Sequence, residues 1–170
     1  MLPNREFVLR MLADSYFYFL KSLPFENESY MKGMREARTK FVANLHITLL
    51  QEYMPKSRKD RRYTTDFVSP RALILLKSGS LKGLSYEHIV PKTRFIKDQC
   101  EIVAQNGLLQ SSDFIYEILD KYLWTATVHS EEEKGLIRTK MPPGWDGKNI
   151  LARYDGIVNL EEHDKSYLFN

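Results

Sequence analysis

A chain of 170 residues, 43% hydrophobic and 12% aromatic, is of single-domain size and can bury a real core, which excludes a disordered chain. Its one cysteine, Cys100, excludes an internal disulfide and fits a reducing, cytoplasmic setting, and no apolar run approaches the roughly 18 residues of a membrane span. The net charge of +3 is unevenly spread: residues 53–98 hold eleven Lys/Arg against four Asp/Glu, a local +7 that leaves −4 for the remainder.

The opening stretch does not read as a signal peptide, because Arg10 and Asp14 interrupt its apolar residues. Residues 5–21 predict a helix, with Phe7, Val8, Met11, Leu12, Phe19 and Leu20 at helical spacing. Tyr16-Phe17-Tyr18-Phe19 is apolar on too many sides for one exposed face, so it packs between elements or against a partner, a protein or a second copy. Leu23-Pro24 ends this helix. Residues 28–51 predict a longer one with Met31, Met34, Phe41, Leu45 and Leu49 as its stripe. His46 beside that stripe reads as a packed or surface histidine.

Residues 55–62 form a basic loop, a candidate nucleic-acid contact or linker. Ser69-Pro70 reads as an N-cap and first-turn proline for a short helix that Gly79 ends. Residues 81–91 predict a short strand entered from a glycine turn and stopped by Pro91. Helices over residues 92–105 and from about 111 to 122 follow, with Cys100 on an apolar face like a core thiol. Residues 124–128 are a β-forming run, and Ser130 with Glu133 has the spacing of a capping box. The tail beyond Met141 gives no clear period.

Chemistry concentrates in Ser85-Tyr86-Glu87-His88-Ile89-Val90-Pro91, where an acid and a histidine are adjacent inside the basic block. Metal-dependent phosphodiester cleavage needs oxygen or imidazole ligands for a divalent ion, a base near neutral pKa, and cations for the flanking phosphates. Adjacent strand residues point to opposite faces, so Glu87 and His88 converge only where the strand bends. The chain has no glycine-rich phosphate loop, no Gly-x-Ser-x-Gly elbow and no i, i+4 histidine pair.

The run Glu87-His88-Ile89-Val90-Pro91 resembles the first motif of the HNH, or ββα-metal, endonucleases, and residues 125–136 resemble the second strand and the helix of that motif. The resemblance implies Glu87 as a metal ligand and His88 as the general base, with Glu133, or His129 in its place, as the remaining ligand. The ion would be Mg²⁺ first, with Mn²⁺, Ni²⁺ or Zn²⁺ as the others. Arg58, Lys59, Arg61, Arg62, Lys92 and Arg94 would grip the nucleic-acid backbone, and Arg153 would clamp a phosphate or form a structural ion pair with Asp155 or Asp146. The central asparagine or histidine of the family is not recognisable, and no Cys-x-x-Cys knuckle is present.

The expectation is therefore a mainly α protein with a small β component (α+β). Residues 1–68 would form an N-terminal helical region with a basic loop, and residues 69–170 a ββα-metal-like core with a C-terminal tail. Its function would be metal-dependent cleavage of DNA ahead of RNA, with no membrane partner. The second reading is an inactive fold of this kind that binds nucleic acid or a protein.

Overall fold

The computed structural model describes residues 2–169. In chain order it contains α1 (Arg5–Lys21), α2 (Glu28–Gly33), α3 (Arg35–Gln51), β1 (Phe67–Val68), α4 (Pro70–Lys77) and β2 (Leu84–His88). A π-helical segment at Thr93–Lys97 then leads into α5 (Asp98–Gln105), followed by α6 (Asp113–Tyr122), β3 (Thr125–His129), α7 (Ser130–Glu133) and β4 (Glu161–Glu162). The class is α+β, as composition and periodicity indicate. No described helix is long and apolar enough to cross a membrane.

The chain divides into two compact units, Met1–Leu50 with Lys92–Tyr122, and Gln51–Pro91 with Leu123–Asn170. The expected boundary between residues 68 and 69 is thus displaced. Val68 and Ser69 are continuous parts of the second unit, where Val68 pairs with Thr127 and the Ser69 amide donates to the Thr127 carbonyl. Residues 92–122, expected in the core, instead join the N-terminal helices.

In the helical unit, Asn4 caps α1, its side chain accepting from the Phe7 amide at 2.7 Å. Val8, Leu9, Leu12, Ala13, Tyr16 and Leu20 form the buried face of α1, which packs on α5 and α6. The aromatic run is shared out. Tyr16 is buried, Phe19 stacks on Phe41 at 4.3 Å, and Tyr18 is 71% exposed. The helix expected over residues 28–51 is broken at Met34, after Gly33, a residue that costs about 1 kcal/mol relative to alanine in a helix interior. The buried residues of α3 are Val42, Ala43 and His46, while Phe41, Leu45 and Leu49 lie half-buried beside them. An arginine fork ties α3 to α5. Arg38 Nε and Nη2 donate to the two oxygens of Glu101 at 3.0 and 2.7 Å. Cys100 is buried, and burial pushes its thiol up to about 12.

The other unit holds one four-stranded sheet in the order β2-β3-β1-β4. β2 runs antiparallel to β3, β1 parallel to β3, and β4 antiparallel to β1. Thr125, Ala126, Thr127 and Val128 of the inner strand β3 are all buried. Ser69 caps α4, accepting from the Ala72 amide, and Gly79 follows the helix with φ +80°, the left-handed geometry that glycine meets without strain. Arginines occupy carbonyls at both ends of the edge strand β2: Arg62 donates to Leu84 O at 3.2 Å and Arg153 to His88 O at 2.7 Å. Such capping blunts an edge that would otherwise offer itself to another strand.

His163 fastens the strand β4 to this sheet. His163 is 5% exposed, its Nδ1 lies 3.1 Å from Thr65 O, and its Nε2 lies 3.1 Å from the Tyr167 hydroxyl. Burial pushes its pKa down to about 3. The folded value lies below the unfolded one, so the neutral ring's contribution is complete above about pH 6.5 and is lost as pH falls toward 3. Urea unfolding between pH 7 and 4.5 is expected to show wild type losing up to about 1.4 kcal/mol per pH unit more than His163→Gln. Parallel pH profiles for the two proteins would contradict this burial of a neutral ring.

Candidate functional site

The register of β2 on β3 decides which side chains meet. Leu84, Tyr86 and His88 stand opposite His129, Thr127 and Thr125, while Ser85 and Glu87 stand opposite Val128 and Ala126. Directly paired residues share a face, and successive residues alternate. One face therefore carries His88 and His129, and the other carries Glu87. The ladder runs unbroken through His88 and continues with the Ile89 amide donating to Trp124 O at 2.9 Å. The bend that would bring Glu87 and His88 together is absent from β2.

This corrects the expected ligand set. His88 sits edge-on to Tyr86, with ring centroids 5.5 Å apart, on the face away from Glu87. His129 shares that face but stands four residues further along, about 13 Å by strand rise. Its Nδ1 already accepts the Glu131 amide at 3.2 Å as the N-cap of α7. Neither histidine joins the acid.

What does join Glu87 is Glu133. The capping box is real but displaced by one residue: His129 is the N-cap and Glu132 its acid, accepting from the His129 amide at 2.8 Å. The same Glu132 oxygen accepts from the Ser69 hydroxyl at 2.7 Å, so α7 is also tied to the cap of α4. The shift frees Glu133 from capping. It accepts from the Ser85 hydroxyl at 2.5 Å and pairs with Arg138 at 3.5 Å. Ser85 and Glu87, two apart on β2, thus meet Glu133 on one side of the sheet.

A cleft of about 430 Å³ opens here, its lining including Arg61, Arg62, Ser85, Glu87 and Glu133. Burial raises the Glu87 pKa above the usual carboxylate range, and the charge of Glu133 raises it further; Arg153 and Arg138 pull the other way without cancelling this. Two half-buried acids that repel each other in one cleft favour a shared proton or a cation.

The basic side chains play unequal parts. Arg61 is exposed, its guanidinium 5.2 Å from the Tyr86 ring centroid, and it reaches the cleft. Lys59 is exposed but is not part of the cleft wall. Arg62 grips both Asp60 oxygens at 2.7 and 2.8 Å and donates to Leu81 O and Leu84 O, so its nitrogens are spent on the fold. Arg58 donates to the Tyr63 hydroxyl at 2.8 Å. Lys92 and Arg94 belong to the helical unit, where Lys92 donates to Thr39 O at 2.6 Å and Arg94 is exposed. Arg153 is 2% exposed and cannot reach a bound polyanion without unfolding its surroundings. The expected ion pair with Asp155 or Asp146 is replaced by one with Glu87, 3.6 Å away.

Ser85 and Arg138 are site residues that motif reasoning did not single out. Period-two alternation marks Ser85 as a neighbour of Glu87, whereas nothing in the sequence marks Arg138.

Among the described residues no three His, Cys, Asp or Glu side chains gather to hold a metal ion. The donors that do meet are two carboxylates and a hydroxyl. That set fits a hard, largely hydrated ion such as Mg²⁺, which is often held by one or two carboxylates with water completing its sphere. It lacks the imidazole and thiolate donors that Zn²⁺ and Ni²⁺ most often take.

No family model, no curated protein and no solved structure matches the chain.

The displaced capping box separates two neighbouring glutamates by role. Glu132→Ala removes two hydrogen bonds and is expected to lower the unfolding free energy by about 1–3 kcal/mol. Glu133→Ala loses the Ser85 hydrogen bond and the exposed Arg138 pair but relieves the repulsion with Glu87, and is expected to cost less than about half of that. Chemical denaturation of both variants checks the order, and the reverse order would return the capping role to Glu133.

Proposed function

We propose that this chain is a metal-dependent phosphodiester hydrolase acting on nucleic acid, DNA ahead of RNA, with its centre at the Glu87–Glu133 pair. The observation that supports this reading is the meeting of two mutually repelling carboxylates with the exposed Arg61 in one cleft. β2 pairs antiparallel with β3, and β3 leads into the helical turn α7, an arrangement like that of the motif the sequence resembles, with residues 93–122 inserted between the two strands.

In this reading Glu87 and Glu133 hold a hydrated divalent ion, and Ser85 holds Glu133 in place. Bound there, the ion would lower the pKa of a coordinated water and offset charge on the phosphoryl oxygens. Arg61 supplies a cation for a flanking phosphate, a task suited to its planar fork. His88 has no place in this centre, because the pleat turns it to the other face.

A second reading, a nucleic-acid-binding module without catalysis, is favoured by one observation: among the described residues that line the cleft there is no histidine to act as a base.

Purified protein incubated with plasmid DNA, single-stranded DNA and RNA, with Mg²⁺ or Mn²⁺ added singly, separates the two. Metal-dependent cutting is expected, falling about 100-fold or more in Glu87→Gln and in Glu133→Gln. His88→Ala is expected to stay within about tenfold of wild type. Retention of nucleic acid without cutting would leave the binding module standing. Cutting abolished by His88→Ala but not by the glutamine variants would move the centre to the other face of the sheet.

A further inference from the structure

Arg153 is one of the least exposed charged side chains described in the chain, and the function proposed above makes no use of it. Its Nη1 donates to the carbonyls of Ile137 and Arg138 at 2.6 and 2.9 Å. Its Nη2 donates to His88 O at 2.7 Å and to the Tyr154 hydroxyl at 3.2 Å, and lies 3.6 Å from Glu87 Oε2. One guanidinium therefore binds the end of β2, the turn after α7, and the carboxylate of Glu87.

The turn it grips matters because of what the turn carries. Arg138 is itself exposed, and its guanidinium reaches back to Glu133 Oε1 at 3.5 Å. Arg153 thus acts on Glu87 directly and on Glu133 through the Ile137–Arg138 backbone. A buried charge with this many partners is costly to desolvate, and fold stability alone is often served as well by apolar packing. Holding two acids at a fixed separation is something apolar packing does not provide.

We propose that Arg153 is the positioning residue of the cleft: through one buried guanidinium it sets both Glu87 and Glu133 in the geometry that receives a divalent cation. This rests on the Glu87–Glu133 reading for the identity of the ligand, but not for the placement of the two acids. The fork is the essential feature. Lysine would keep the positive charge beside Glu87 but could not reach the Ile137 and Arg138 carbonyls and His88 O together.

The test compares full-length wild type, Arg153→Lys and a control, Leu168→Ala, which removes a buried side chain of the same unit away from these contacts. Two quantities are read at a temperature where each protein is folded. These are the side-chain carboxyl ¹³C resonances of Glu87 and Glu133, and the affinity for Mn²⁺ alone. In Arg153→Lys both resonances are expected to shift and Mn²⁺ affinity to fall about tenfold, the usual effect of removing a group that orients ligands. The control is expected to lose stability and leave both readings unchanged.

A Glu133 resonance that stays in place in Arg153→Lys would overturn the proposal, as would equal changes in the control. If wild type binds no Mn²⁺, the metal reading falls, while the resonances still decide the positioning role. If Arg153→Lys does not fold, Tyr154→Phe takes its place. It removes one acceptor of the same guanidinium and is expected to shift both resonances in the same sense, and an unmoved Glu133 again overturns the proposal.

Discussion

A single buried guanidinium holds the end of the edge strand β2 to the turn that follows α7. Taking Arg153 out of water costs several kcal/mol, and the four oxygens around it, with Glu87 close by, offset that cost. Because the guanidinium is planar and its donors diverge at fixed angles, its partners cannot move independently. It ties Glu87, the chain at Ile137 and Arg138, and the end of β2 to one another. Arg62 does comparable work at the start of β2, gripping Asp60 and the Leu81 and Leu84 carbonyls.

Two small geometric facts then decide which side chains share the cleft. The pleat of β2 sends Glu87 and His88 to opposite faces, although they are adjacent in sequence. At the other end of β3 the helix cap sits on His129 rather than Ser130, which makes Glu132 the capping acid and leaves Glu133 for the cleft. A shift of one residue in either place would exchange the partners. The acid-and-acid centre is thus a consequence of strand register and cap position together, and composition alone does not distinguish it from an acid-and-histidine centre.

Much of the secondary structure was legible because its signals are local. Apolar spacing marked α1, Ser69-Pro70 marked the start of α4, Gly79 its end, and the β-formers of residues 125–128 marked β3. The break at Gly33 was missed because the residues on either side are good helix formers. The division of the chain was not legible. That residues 92–122 belong with α1 depends on contacts far apart in sequence, such as Arg38 with Glu101 and Arg10 with Asp113. At the site, the motif drew attention to Glu87 and Glu133 but also paired Glu87 with His88, and period-two alternation in an unbent strand sends those two to opposite faces. The burial of Arg153 carries no local signature, because it is created by three segments that meet only in the fold.

The central claim is that Glu87 and Glu133 form one cation-binding centre on the face of the sheet away from His88 and His129. Titrating ¹⁵N,¹³C-labelled protein with substoichiometric Mn²⁺ tests it most directly, because a paramagnetic ion broadens the signals nearest to it. The account predicts that resonances of Ser85, Glu87 and Glu133 disappear first and together. Broadening that begins at His88, at His129 or elsewhere in the chain, with Glu87 and Glu133 unaffected, would contradict it.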